Sequence, residues 1–222
     1  MNGRSIFLSQ RTVTQMIVPC VAQFIVHNNT QQIQNTMLTY KNDPKIKESL
    51  IKRMDSHIIA DELLQGATGQ DGKGCTVWCA LNNGDLKEGY NHSAFETILG
   101  LPEWLAELQD RIFEGLIVED AKWFSSEWPK AIPVGKNIEP VKWKFCAFIM
   151  KENIERVLLL DISEELKKEV VNAINGVLSL HETAAKTGVW DESAAWSAAR
   201  SAARSAAYKK YAIHLLDLLR NI

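Results

Sequence analysis

The sequence predicts an all-α protein, an irregular helical array with a long C-terminal antiparallel helical hairpin. Three observations carry this expectation. Apolar residues recur at spacings of three and four, clean apolar/polar alternation is hard to find, and the strong punctuation consists of helix starts and stops such as Asp43-Pro44, Asn91, Pro102, Gly100 and Gly188. At 222 residues, 46% hydrophobic and 23% charged, the composition suits a folded globular chain and excludes disorder, collagen and a disulfide scaffold. Residues 1–222 read as a single all-helical domain, with a site-bearing centre at 44–128 and a C-terminal hairpin at 141–222 packed on it.

In chain order, the apolar run Met16 to Val26 follows Arg4 and Arg11 much as a signal peptide would. It contains Pro19 and Gln23, lacks a following small-x-small cleavage site and is too short to span a bilayer, so it reads as a buried segment. Asp43 at the N-cap and Pro44 at the first helical position open a helix that Gly66 closes, giving 44–65. Residues 66–74 (GATGQDGKG) form a glycine-rich loop. Asn91 caps a short helix to Leu99, ended by Gly100, and Pro102 starts another running to Leu116. The stretch with Pro129, Pro133, Gly135 and Pro140 is a connector to the C-terminal part.

Beyond it, Asp161 and Glu164 make a capping-box-like start, and Leu166, Val170, Ala173, Val177, Leu180 and Ala184 form a heptad seam that stops at Gly188. From Ser193 the chain repeats SAAW, SAAR, SAAR, SAAY, a low-complexity helix whose alanine pairs admit close helix approach and whose Leu215, Leu216, Leu218 and Leu219 give an apolar end. The hairpin arms are therefore 162–186 and 191–220, linked near Gly188. Their heptad and alanine faces are where a second copy or a protein partner would pack. Arg200 and Arg204 read as a solvated basic edge.

A formal charge of -2 and a pI near 6.2 give no attraction to nucleic acid or to an anionic membrane, so neither is expected as a partner. The middle is locally acidic. Asp85, Glu88, Glu96, Glu103, Glu107, Asp110, Glu114, Glu119 and Asp120 face only Lys87 and Arg111 over residues 85–120, a region that repels anions and welcomes cations. Four cysteines (Cys20, Cys75, Cys79, Cys146) are too few for a disulfide framework and read as reduced and cytoplasmic.

Three polar pairs carry the candidate chemistry. On a 44–65 helix, His57 and Asp61 fall in the same stripe as Ile46, Leu50, Met54, Ile58 and Leu64, one turn apart and turned into the core. Cys75 and Cys79 share a face whether helical or extended, with Lys73 and the start of a helix favouring a thiolate at Cys75. His92 and Glu96 are again one turn apart. Cys75, Cys79, His57 and His92 are the ligand types of a zinc or iron site, although Cys-x3-Cys departs from the common spacing and no HExxH occurs. As a thiol enzyme, the chain would use Cys75 as nucleophile, His92 or His57 as base, Glu96 or Asp61 as orienter, and amides of the glycine loop as oxyanion donors. The loop is not a nucleotide-binding loop, because Cys75 stands where Ser or Thr is needed and no buried strand precedes it. Glu103, Glu107, Asp110 and Glu114 project away from Leu101, Trp104, Leu105, Leu108 and Ile112 as a solvated acidic face. The seven tryptophans (78, 104, 123, 128, 143, 190, 196) read mostly as core, with an aromatic pocket near the junction of the two halves as the alternative.

The run from His57 to Glu114, through Asp61, GATGQDGKGC, Cys79, His92, Phe95, Glu96, Gly100-Leu101-Pro102 and LAELQDRIFEGL, resembles a group of bacterial and phage proteins that share a GKGC-x3-C and IFEGL pattern. That resemblance implies a recurrent unit and carries no catalytic role. Two expectations follow for function. One is a small cytoplasmic protein whose Cys/His/carboxylate site binds a metal or small ligand, with catalysis left open. The other is a non-catalytic helical interaction module in which the same polar pairs are structural.

Overall fold

The structure is a computed structural model that describes residues 37–66, 69–82, 91–191 and 193–194. The described residues are helical, as the sequence predicts, and contain no strand beyond two isolated bridges. None of their helices is long and apolar enough to cross a membrane. Cys20, the 16–26 segment, Arg200, Arg204 and the 191–220 arm beyond its first turn lie outside the described residues. The chain divides at Ile138/Glu139 into two compact units.

The central unit contains α1 (Pro44–Ile59), α2 (Thr76–Leu81), a single π-helical turn (Phe95–Leu99), α3 (Glu103–Gly115) and α4 (Val118–Ala131). Helix α1 starts as expected, with Pro44 at the first turn and the Asp43 carboxylate accepting from Lys45 N at 2.9 Å. It ends six residues earlier than the 44–65 expectation. Asp61 takes the left-handed conformation (φ 57°), Asp61 N donates to Ile58 O at 3.2 Å and Glu62 N to His57 O at 2.9 Å. These are the two bonds of a Schellman stop. Aspartate tolerates the left-handed region, so the chain turns at Asp61 and does not wait for Gly66.

Helices α1 and α4 run antiparallel. Lys47 Nζ donates to Ile132 O at 2.7 Å, Ser126 Oγ to Asp55 at 3.5 Å, and Lys122 Nζ to Asp61 at 2.7 Å, in reverse order along the two helices. Leu50 and Met54 from α1, Val77, Trp78 and Cys79 from α2, Phe95 and Leu101, Phe113 from α3 and Trp128 from α4 form one core. Helix α4 was not foreseen as an element: Pro129 suggested a connector, but it sits in the last turn, where the helix is ending. The expected Asn91–Leu99 helix is also corrected. Asn91 does cap, accepting from Ser93 N at 2.6 Å, yet only Phe95–Leu99 is helical, as one wide turn closed by Gly100 at φ 63°.

Residues 39–42 lace the unit together. Tyr40, Lys41 and Asn42 are all left-handed, at φ 57°, 52° and 59°. Tyr40 is fully buried and its hydroxyl donates to Pro129 O at 2.8 Å, while Thr39 exchanges backbone bonds of 3.0 Å with Gly135 and Lys136. Glycine is required at 100, because a Cβ there would lie 2.6 Å from Lys41 N.

The C-terminal unit contains α5 (Glu139–Leu158) and α6 (Glu164–Thr187), an antiparallel helical hairpin whose first arm is α5, which the expected pairing of 162–186 with 191–220 did not include. Ala147, Met150 and Val157 pack against Val170, Ile174, Val177 and Leu178. Ser163, not Asp161, caps α6, accepting from Leu166 N at 3.3 Å, and Gly188 ends it at φ 72°. The buried seam runs Val170, Ile174, Val177, Leu178, His181, Ala184, displaced by one residue at two steps from the heptad seam and bringing a histidine inside.

Candidate functional site

The early stop of α1 decides the partner of His57. Because the chain reverses at Asp61, Glu62 folds back and His57 Nδ1 meets Glu62 Oε2 at 2.5 Å, while Nε2 faces Asn82 O at 3.3 Å. The expected His57–Asp61 pair is thus replaced by His57–Glu62. Asp61, at 68% side-chain exposure, bonds Lys122 at 2.7 Å and lies 3.9 Å from Lys73. The hydrogen bond and charge of Lys122 hold its carboxyl below the usual aspartate range, with Lys73 adding to the effect.

The glycine loop is a backbone structure around one indole. Gly74 N donates to Glu62 O at 2.9 Å and Leu64 N to Gly74 O at 2.8 Å, so the two ends of the loop pair. Its tip is a tight turn in which Gln70 and Lys73 exchange bonds of 2.7 and 2.9 Å across left-handed Asp71 and Gly72. That Asp-Gly pair has the chemistry a type I′ turn demands. A Cβ at Gly69 would fall 2.5 Å from Trp78 Nε1, and one at Gly74 would fall 2.7 Å from Trp78 Cγ. Two of the glycines therefore make room for tryptophan. The loop amides of Gly66, Gln70, Lys73 and Gly74 are engaged with the Glu114 carboxylate or with backbone carbonyls and do not serve as oxyanion donors.

Cys75 precedes α2 and Cys79 lies one turn on, and both belong to the core. Cys79 Sγ donates to Gly74 O at 3.7 Å, and burial pushes its thiol far above the usual range, with Cys75 and Glu62 adding to the rise. That is the reverse of what a nucleophilic thiol needs at Cys79, and Cys75, the candidate nucleophile, is itself 2% exposed. His57 reaches this cluster through Trp78, its ring centroid 5.6 Å from the indole.

His92 and Glu96 do not pair either, since the backbone between them is not regular α-helix. His92 Nε2 meets Asp110 Oδ2 of α3 at 3.2 Å, and Glu96 accepts from Glu103 N at 3.2 Å. Asp110 thus leaves the acidic face foreseen as solvated. Its hydrogen bond raises the His92 pKa against the opposing effect of burial, with Glu107 and Glu103 also favouring the imidazolium. Among the described residues no three His, Cys, Asp or Glu side chains form a group that could hold a metal ion.

One polar residue escaped the sequence reading. His181 is 2% exposed, its ring tilted against those of Trp190 and Trp143 at centroid distances of 4.7 and 5.9 Å, and neither ring nitrogen has a hydrogen-bond partner among the described residues. Burial and the neighbouring Lys142 lower its pKa to about 4. Its position on the apolar stripe of α6, between Val177 and Ala184, was the available signal. In comparisons with known proteins, no family model, curated protein or solved structure matches this chain.

Proposed function

We propose that this chain is a non-catalytic helical interaction module of a reducing, cytoplasmic compartment, and that its polar pairs are structural. One observation carries the reading: each side chain offered as chemistry is spent on a local structural partner. His57 ties the end of α1 to Glu62, His92 ties its turn to α3, and the two cysteines are buried in the core that also holds Trp78. The surface supports it. Trp123, Ile59 and Ile117 are largely exposed on the central unit, and Val141, Phe148 and Leu158 are about half exposed on α5, large apolar side chains that a partner would cover. A second copy or a protein is the kind of partner such surfaces suit.

The test is elemental analysis of protein purified without a histidine tag, with thiol titration of the native state. The expected result is no stoichiometric zinc or iron, slow reaction at Cys75, Cys79 and Cys146, and retained helicity in a Cys75→Ala, Cys79→Ser double variant. Stoichiometric metal lost on Cys75→Ala, His57→Ala or His92→Ala would overturn the reading in favour of a metal centre. One fast thiol at Cys75 would overturn it in favour of a nucleophile.

A further inference from the structure

We infer that the end of the central unit where α1 stops and α4 begins docks a basic amphipathic helix of a partner protein. This rests on the interaction-module reading and names the partner's chemistry. Antiparallel packing of α1 and α4, closed by Lys122 on Asp61, brings Ile59 to the same end as Ile117 and Val118. Ile59 is 86% exposed and Trp123, in the second turn of α4, is 64% exposed. Tryptophan at that exposure is a poor use of the largest apolar side chain unless something covers it.

The charges around it select the partner. Glu119 and Asp120 precede Trp123 by four and three residues and Glu127 follows by four, so all lie on the indole's face of the helix. Glu127 is paired with Lys130 at 3.1 Å, whereas the side chains of Glu119 and Asp120 have no hydrogen-bond or ion-pair partner among the described residues. Their place in the first turn of α4 suits the helix dipole and leaves both carboxylates beside the indole. The bases at this end, Lys122 and Lys73, are both turned to Asp61; a cation over the indole face, with lysine or arginine against Glu119 and Asp120 and leucine against Ile59 and Ile117, complements the rest. A second copy would set these acids against their own equivalents, and an anionic membrane would be repelled by them.

The experiment titrates the full chain into a fluorescently labelled peptide of leucine and lysine arranged as an amphipathic helix, read by anisotropy at two salt concentrations. A peptide with glutamate for lysine is the control. The expected result is saturable binding of the lysine peptide only. Trp123→Ala weakens it roughly tenfold or more, as loss of a central aromatic anchor does. Glu119→Gln with Asp120→Asn weakens it and flattens its salt dependence, while Glu165→Gln at the acidic start of α6 leaves it unchanged. Absence of binding, equal binding of both peptides, indifference to Trp123→Ala, or a Trp123-dependent dimer in light scattering each overturns the inference. Failure of the two ideas is distinguishable: stoichiometric metal held by Cys75 or a histidine refutes the module, whereas a metal-free chain that ignores the lysine peptide refutes only the basic partner.

Discussion

His181 makes the C-terminal hairpin acid-sensitive well above the carboxylate range. Its imidazole is held at 2% exposure against the stacked pair of Trp143 and Trp190, with no acceptor at either nitrogen among the described residues. The facing charge is the Lys142 ammonium of α5, which opposes a second cation, and the nearest carboxylate on its own helix, Glu182, is engaged with Lys151 at 2.8 Å. A proton on the ring has no partner inside, so the folded-state pKa falls from 6.5 to about 4. The unfolded chain takes up the proton first. The contribution to stability is therefore complete above the unfolded value and is lost as pH falls toward the folded one. Going from about pH 7 to about pH 5, above the window in which most carboxylates titrate, removes about 2 kcal/mol through this group.

The assay is urea denaturation of the parent and of His181→Leu at both pH values, followed by far-ultraviolet circular dichroism. Leucine has a similar volume and no nitrogens to satisfy, so the variant is expected to match or exceed the parent at neutral pH. It should lose about 2 kcal/mol less on acidification. Proton NMR of the ring gives an independent reading: the His181 resonance should hold its position until well below its ordinary titration range. A folded-state midpoint near that ordinary value, or pH slopes that agree between parent and variant within about 0.5 kcal/mol, would refute the reasoning.

His92 should behave with the opposite sign. Its pKa is raised by the Asp110 hydrogen bond, so it stabilises the fold below its unfolded value and loses that effect as pH rises through the folded one. Asp110→Asn should bring the His92 midpoint down in an NMR titration, and an unchanged midpoint would contradict the assignment. At the glycine loop, Gly74→Ala should destabilise by about 1–3 kcal/mol through overlap with Trp78, since no left-handed backbone is involved there. In a double-mutant cycle Trp78→Leu should recover most of that loss, and purely additive effects would dissociate the glycine from the indole. Tyr40→Phe should cost about 1 kcal/mol by orphaning the Pro129 carbonyl, measured as a shift in the denaturation midpoint, and no shift would mean that water or another donor replaces the hydroxyl.

What the sequence made legible was whatever a local rule determines alone. Asp43-Pro44 starts α1, Gly100 and Gly188 stop their elements, and apolar periodicity marks α3 and α6, because each signal acts through neighbouring backbone and needs no tertiary contact. Helix α4 was harder to see. Its buried positions are Ala121, Ser125, Trp128 and Pro129, a stripe with one large aliphatic-free face and a proline, which reads as polar connector until α1 lies alongside it. The seam of α6 shows the same limit in reverse: a strict heptad picks Ala173 and Leu180, whereas packing on α5 chooses Ile174, Leu178 and His181.

For the candidate site, the histidines were legible and their partners were not. Spacing arguments assume that a regular helix continues between two residues, and both expected pairs straddled a place where it does not. Asp61 is itself the residue that ends α1, so the carboxylate chosen as the partner of His57 is the one that turns away, and its neighbour Glu62 arrives instead. His92 precedes the wide turn at Phe95–Leu99, which leaves Glu96 on the Glu103 amide and hands the imidazole to Asp110 in another helix. Each substitution exchanges one carboxylate for another and so preserves the chemistry of a paired histidine while changing its consequence. A His–carboxylate pair within one helix would leave the second nitrogen for a metal or a proton transfer. A pair that joins a helix end to a loop, with Asn82 O on the other nitrogen of His57, uses the ring to hold two segments together. The same arithmetic of partners separates His181, which has none among the described residues, and makes the buried histidine absent from every motif the one whose protonation the fold can least accommodate.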